Sequence, residues 1–151
     1  ERNGETIMDF LGLQTQIINY IQENYSKSLE DIGLENVNYI NDFLDLDKYQ
    51  KNRQLFYDFA DFDFTALSNE SNSLHTTLKI YLTFKNGKSS VLNDEMMKYA
   101  AAFYDMFHKS NDSFGGAVDY GRISNVHFYY AAEANVNVKV AEIQIELWNE
   151  E

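Results

Sequence analysis

Residues 74–84 read LHTTLKIYLTF, and every second side chain belongs to one set. Leu74, Thr76, Leu78, Ile80, Leu82 and Phe84 point one way. His75, Thr77, Lys79, Tyr81 and Thr83 point the other way. This period of two is that of a strand in a sheet with one buried face. Asn86-Gly87 follows as a turn, and the polar run SNESNS over 68–73 precedes as a loop.

Upstream, aromatic residues alternate over 54–67. Phe56, Phe62 and Phe64 share a parity with Asp58 and Ala60, whereas Leu55, Tyr57 and Phe59 take the other, followed by Asp61, Asp63 and Thr65. The apolar set changes phase near Phe59–Asp61, which predicts a β-bulge or a split into two short strands. Downstream, 122–131 and 136–148 read as a closing antiparallel pair with Glu133, Ala134 and Asn135 near the turn. Val136, Val138 and Val140 share one parity, while Ala141, Ile143, Ile145 and Leu147 share the other. A bulge near Val140 and Ala141 would keep both halves on the core.

Two helices frame these strands. Ile7, Phe10, Leu11, Ile17, Ile18, Ile21 and Tyr25 recur at helical spacing, so a helix is expected over 7–25, with Thr6 and Asp9 as a variant capping box and Ser26–Ser28 beyond its end. The second helix is expected over 93–109, capped by Asn93 or Ser90, with Asp94 and Glu95 near the positive end of its dipole. Its apolar set is Met96, Met97, Ala100, Phe103, Tyr104 and Phe107. Residues 111–121 form a loop in which Gly115 and Gly116 supply positive φ. Between Leu29 and Asn52, Gly33 breaks the chain and a short strand is expected near Val37–Ile40. The expected fold is α+β, a mostly antiparallel sheet packed against an N-terminal and a central helix in the order α-β-β-α-β-β, with residues 1–151 as a single domain. Residues 1–7 are expected to be a disordered or non-native leader, unless Met8 is internal. No basic stretch precedes an apolar one there, so no signal peptide is expected.

The composition excludes several chemistries. The chain has 151 residues, 12 Lys and Arg against 24 Asp and Glu, a net charge of −12, and neither Cys nor Pro. Without Cys there is no disulfide framework, thiolate nucleophile, Fe–S cluster or Cys-type zinc site. The negative charge argues against general nucleic-acid binding, which needs a basic face to displace counterions from phosphates. No apolar run is long enough to span a bilayer. At 44% hydrophobic and 15% aromatic residues the chain can build a core and is not expected to be disordered. Average usage would give roughly 7 prolines at about 5% of residues, so their absence is unusual.

The candidate sites are weak as chemistry. His75, His108 and His127 lie far apart, without a second ligand at metal spacing. Asp58, Asp61 and Asp63 are the densest carboxylate group on a predicted strand. Asp61 and Asp63 share a face there, and a solvated or subunit-facing role suits them better than acid–base work. Asp45 and Asp47 imitate the start of an EF-hand, but no Gly follows at the sixth position and no Glu at the twelfth. Gly115-Gly116 lacks the rest of a phosphate-binding loop, and no Ser sits in a GxSxG context. Tyr81, Tyr129 and Tyr130 are candidate interface aromatics. No catalytic, metal or cofactor-binding residue is assigned, and no cofactor is expected.

Four segments in order resemble the phage tail terminator family, the tail-completion and head–tail joining proteins: MDFLGLQTQIINYIQENY, QLFYDFADFDFTALSNESNSLHTTLKIYLTF, DEMMKYAAAFYDMFHK and RISNVHFYYAAEANVNVKVAEIQIELW. The closing VNVKVAEIQIEL is similar to the family's last strand. The resemblance implies a non-enzymatic virion protein, a ring homo-oligomer, commonly a hexamer, that caps the tail tube and meets the head connector. Its implied partners are other copies of itself, the tail tube protein and the head connector protein. Its implied places are the virion tail and, during assembly, the host cytoplasm. Asp58, Asp61 and Asp63 would then be lumen or interface carboxylates, and DNA would pass a negative lumen without tight binding. The other reading of the same composition is an acidic interaction module, such as a toxin-immunity protein covering a basic nuclease site.

Overall fold

The computed structural model describes residues 9–40, 52–66, 72–85, 88–133 and 136–150. Its elements, in chain order, are α1 (Phe10–Asp31), β1 (Asn38–Ile40), β2 (Gln54–Ala66), β3 (Asn72–Lys85), α2 (Ser89–Lys109), β4 (Tyr120–Glu133) and β5 (Val136–Glu150). The strands form one five-stranded sheet in the order β1-β2-β3-β5-β4. Only the short β1–β2 pair is parallel; β2–β3, β3–β5 and β4–β5 are antiparallel. The expected α+β class and helix–strand order hold, with β1 added before the strand pair. The expected strand near Val37–Ile40 is β1.

Helix α1 starts at Asp9, whose carboxylate accepts from the Gly12 amide at 2.8 Å. Its buried stripe is Leu13, Ile17, Ile21, Tyr25 and Leu29, one residue per turn. The expected exit at Ser26–Ser28 is therefore wrong by about a turn. The helix runs on because Leu29 continues the stripe, and it stops at Gly33, whose φ is +76°. The Gly33 amide donates to Glu30 O at 3.0 Å and the Leu34 amide to Leu29 O at 2.9 Å, the two bonds of a Schellman ending. At the other end Leu11 is 73% exposed, so it leaves the expected stripe. Phe10 instead turns to β2, with its ring 4.5 Å from that of Phe62. Thr6 and Ile7 lie outside the described residues.

Helix α2 begins at Lys88 with no side-chain cap, earlier than the expected Ser90 or Asn93. Leu92, Met96, Tyr99, Ala100, Ala102, Phe103, Met106 and Phe107 are buried, whereas Met97 and Tyr104 are not. Gly115 and Gly116 do take positive φ in the following loop. Both helices cover the same side of the sheet. Their apolar stripes meet Leu55, Tyr57, Leu74, Leu78, Ile80, Leu82, Phe84, Ala141, Ile143, Ile145 and Leu147 in one core. Arg53 ties the first helix's exit to the second: Nη1 donates to Glu35 Oε1 at 2.9 Å and Nη2 to Glu95 Oε2 at 2.8 Å.

The bulge in β2 lies where the phase change predicts it. Phe59 pairs with Leu78 and Asp61 with Thr77, so Ala60 is the extra residue. The predicted bulge at Val140–Ala141 is absent. Strand β5 pairs with β3 from Val138 to Glu150 without a shift, and the irregularity in the hairpin falls on β4 between Ile123 and Asn125. The change of phase in β5 instead marks a change of buried face. Ala141, Ile143, Ile145 and Leu147 face the helices, while Val138 and Val140 join Phe56 and Tyr81 in a second buried cluster on the other face.

The bulge makes a clear prediction. Removing exposed Ala60 leaves Leu55, Tyr57, Phe59, Phe62 and Phe64 in unbroken alternation, so its deletion is expected to lower stability by less than about 1 kcal/mol. Deleting Lys79 from the central strand inverts every following side chain against two neighbours and is expected to abolish the cooperative urea transition. Chemical denaturation followed by circular dichroism distinguishes the two.

Candidate functional site

The face of the sheet turned away from the helices divides into two regions. Near β1 lies the second cluster of Phe56, Tyr81, Val138 and Val140, with Ile40 and Tyr129 half-buried against it. Beyond it the strands present a polar and aromatic surface in cross-strand rows. The register aligns Asp58 with Lys79, Gln144 and Asn125. The next row is Asp61, Thr77, Glu146 and Arg122, and the third is Asp63, His75, Trp148 and Tyr120.

Asp58, Asp61 and Asp63 therefore share this face. In a regular strand Asp58 would oppose the other two; the extra residue at Ala60 reverses the pleat and brings all three together. Asp61 and Asp63 are exposed and Asp58 is half-buried. His75 Nδ1 lies 3.9 Å from Asp63 Oδ2.

The centre of the surface is Glu146, on the row of β5 opposite Ile145 and Leu147. Its side chain is only 10% exposed. Oε1 accepts from His75 Nε2 at 2.5 Å and from the Thr77 hydroxyl at 3.0 Å. Oε2 accepts from the Gln144 amide at 2.7 Å and from the Ser124 hydroxyl at 3.3 Å. Burial pushes its carboxyl upward, but the hydrogen bonds from Gln144, Thr77 and His75 outweigh it, so the net shift is downward. The carboxylate is ionised and fully engaged. Ser124, the extra residue of the β4 irregularity, can reach it because the bulge re-aims its hydroxyl.

His75 is also one plate of an aromatic ladder. Its ring stacks on Trp148 at 5.0 Å and 19°, and Trp148 stacks on Tyr120 at 5.2 Å and 15°. The spacing is close to that between strands, so three rings stand side by side across β3, β5 and β4. Tyr120 ends the ladder on β4, 48% exposed.

The three expected interface aromatics do not form one patch. Tyr81 is 8% exposed; it belongs to the second buried cluster because this face is apolar near β1, and its candidacy as a surface aromatic is withdrawn. Tyr129 is half-buried beside that cluster. Tyr130 pairs with Lys139, whose ammonium lies 5.1 Å from its ring centroid. The pleat turns Tyr130 to the helix side, away from Tyr129. Tyr120 and Trp148 were missed because their stacking depends on strand register.

Of the histidines, His108 meets Asp112 at 3.1 Å at the end of α2, and His127 stacks on Tyr129 at 5.3 Å. Among the described residues no three His, Asp or Glu side chains gather to hold a metal ion. Three grooves border α1 or α2, one of them shared with Val126 and Phe128 of β4. The Asp45–Asp47 segment lies outside the described residues. No family model matches the chain, and no curated protein matches it. The rows place donors, acceptors and ring edges in register across the sheet.

The Glu146 network sets a pH dependence. Its folded value lies below the ordinary 4.5, so its stabilisation is complete above that value and is lost as pH falls through the depressed one. Glu146→Gln is expected to cost about 1–2 kcal/mol at pH 7 by removing charge-assisted hydrogen bonds. The gap to wild type should narrow as pH falls below the ordinary carboxyl range and through the depressed value. Urea unfolding at pH 7 and pH 3 measures both; a gap independent of pH would deny the ionised carboxylate its role.

Proposed function

We propose that this chain is a non-enzymatic structural subunit that works by contact, a ring-forming virion component resembling a phage tail terminator. The observation that carries the reading is the one-sided sheet. Helices cover one face, and the other offers rows of carboxylates, amides and rings from β2, β3, β5 and β4. A closed ring requires two different patches on each subunit. The polar face and the sheet edges are distinct surfaces of the right kind, mixed in polarity and carrying Tyr120, Trp148 and Arg122. The order of α1, the β2–β3 pair, α2 and the β4–β5 hairpin agrees with the resemblance.

In this reading the subunits form a ring, commonly of six, that caps the tail tube protein and meets the head connector protein. Asp61 and Asp63, exposed on one face beside Asp58, would line the lumen or its rim and repel the phosphates of passing DNA. The protein would reside in the virion tail, and in the host cytoplasm during assembly. Among the described residues no helix is long and apolar enough to cross a membrane.

Light scattering and negative-stain imaging of the purified protein, alone and mixed with tail tubes, test the reading. Rings, or single caps at tube ends, are the expected result. A protein that stays monomeric with and without tubes, and instead binds a basic nuclease at nanomolar affinity, overturns it in favour of an immunity-type module. The lumen role has its own measurement: Asp61→Lys with Asp63→Lys is expected to leave rings intact and to slow DNA passage. Unchanged passage removes those carboxylates from the path.

A further inference from the structure

A sheet edge exposes unpaired N–H and C=O groups, and proteins usually guard it with short strands, charges, bulges or proline. The two edges of this sheet are guarded very differently. Strand β1 is three residues long. Strand β4 is 14 residues long, and among the described residues nothing pairs with its outer side. Its one irregularity lies near the start, between Ile123 and Asn125; from Asn125 to Glu133 its pairing with β5 is regular. The sequence over 125–132, NVHFYYAA, holds no Lys, Arg, Asp or Glu, and the whole chain holds no Pro. This is a β-prone, uncharged strand on an open edge, the pattern that invites another strand.

On the helix side, the flank of α2 leaves a groove along that edge strand. Met97, Ala100, Ala101 and Tyr104 of α2 line a groove of about 330 Å³ with Val126 and Phe128 of β4. Met97 is 45% and Tyr104 50% exposed. These are the two residues of the expected α2 stripe that find no core. A strand added beside β4 would run along its outer side and find apolar side chains of α2 on the helix side.

We propose that a second copy of this chain supplies that strand, so that the sheet continues from one molecule into the next. Charge selects the partner. Two molecules of net charge −12 repel over most of their surfaces, but an uncharged edge lets them meet without like charges directly opposite. A basic partner would be drawn instead to the carboxylates of the polar face or to Glu23, Glu30 and Glu35 around α1. Shape selects it as well. The incoming strand must turn apolar side chains to the helix side at alternate positions, and β4 itself does so with Val126 and Phe128. This inference adds a contact surface to the structural reading without depending on the ring.

Sedimentation equilibrium of wild type against Met97→Glu and Ala101→Glu tests it. Both positions are solvent-facing on α2, so circular dichroism and the melting temperature should stay unchanged. The expected result is reversible self-association in wild type, weakened at least about tenfold in the variants. The absence of Cys makes engineered thiols unique. With a short bifunctional maleimide, Asn125→Cys alone cross-links if two β4 edges pair. An equal mixture of Asn38→Cys and Asn125→Cys molecules cross-links between the two types if β4 takes the next copy's β1. Either product, with the weakened variants, supports the proposal. A wild type that is monomeric at all concentrations, or an oligomer indifferent to both groove variants, overturns it. A β4–β4 product whose mass stops at the dimer keeps the edge contact and removes the ring. Rings that form unchanged in the groove variants do the reverse.

Discussion

Strand β5 is hydrogen-bonded on both sides, to β3 and to β4, along almost its whole length, and its two rows of side chains serve different environments. Ala141, Ile143, Ile145 and Leu147 are at most 1% exposed beneath the helices. The alternate row runs from Val138 and Val140 in the second buried cluster, through Glu142 and Gln144, to Glu146 and Trp148 on the polar face. A one-residue slip would exchange the rows and place Glu146 in the core. The register of this strand therefore fixes the core, the carboxylate network and the aromatic ladder together.

That coupling explains why some features were legible in sequence and others were not. Residues 74–84 alternate cleanly because β3 has one row wholly on the helix side, and the β2 bulge was legible because apolar residues sit on both sides of the phase change. The same logic failed for β5. It assumed a single buried face, whereas Val138 and Val140 are buried on the opposite one. Tyr81 was misjudged for the same reason. The exit of α1 was misread because Ser26, Lys27 and Ser28 look like a helix end, although Leu29 and Gly33 supply the stronger physical signals.

The site was less legible than the fold. Asp58, Asp61 and Asp63 could be named from their density on a strand, and the bulge gathers them on one face. Glu146 could not, because a Glu between two Ile and Leu positions reads as an outward residue on a half-buried strand. Its donors His75 and Thr77 lie 71 and 69 residues away, and only strand pairing brings them near. Met97 and Tyr104 were assigned to the core by helical periodicity. They instead line the open groove between the flank of α2 and Val126 and Phe128 of β4. The missing prolines gain a partial account here. Proline is one of the usual guards of a sheet edge, and the strand pairing proposed for β4 would have no use for it.

One side of the sheet thus holds the fold together, while the contacts proposed above fall to the other side and to the β4 edge. Amide hydrogen exchange across a dilution series, read by mass spectrometry, measures that division most directly. The expected result is slowest exchange in β3 and β5 at every concentration, with protection of the outward-facing β4 amides rising as the protein is concentrated. Exchange along β4 that does not change with concentration, together with β5 amides no slower than those of the helices, would contradict it.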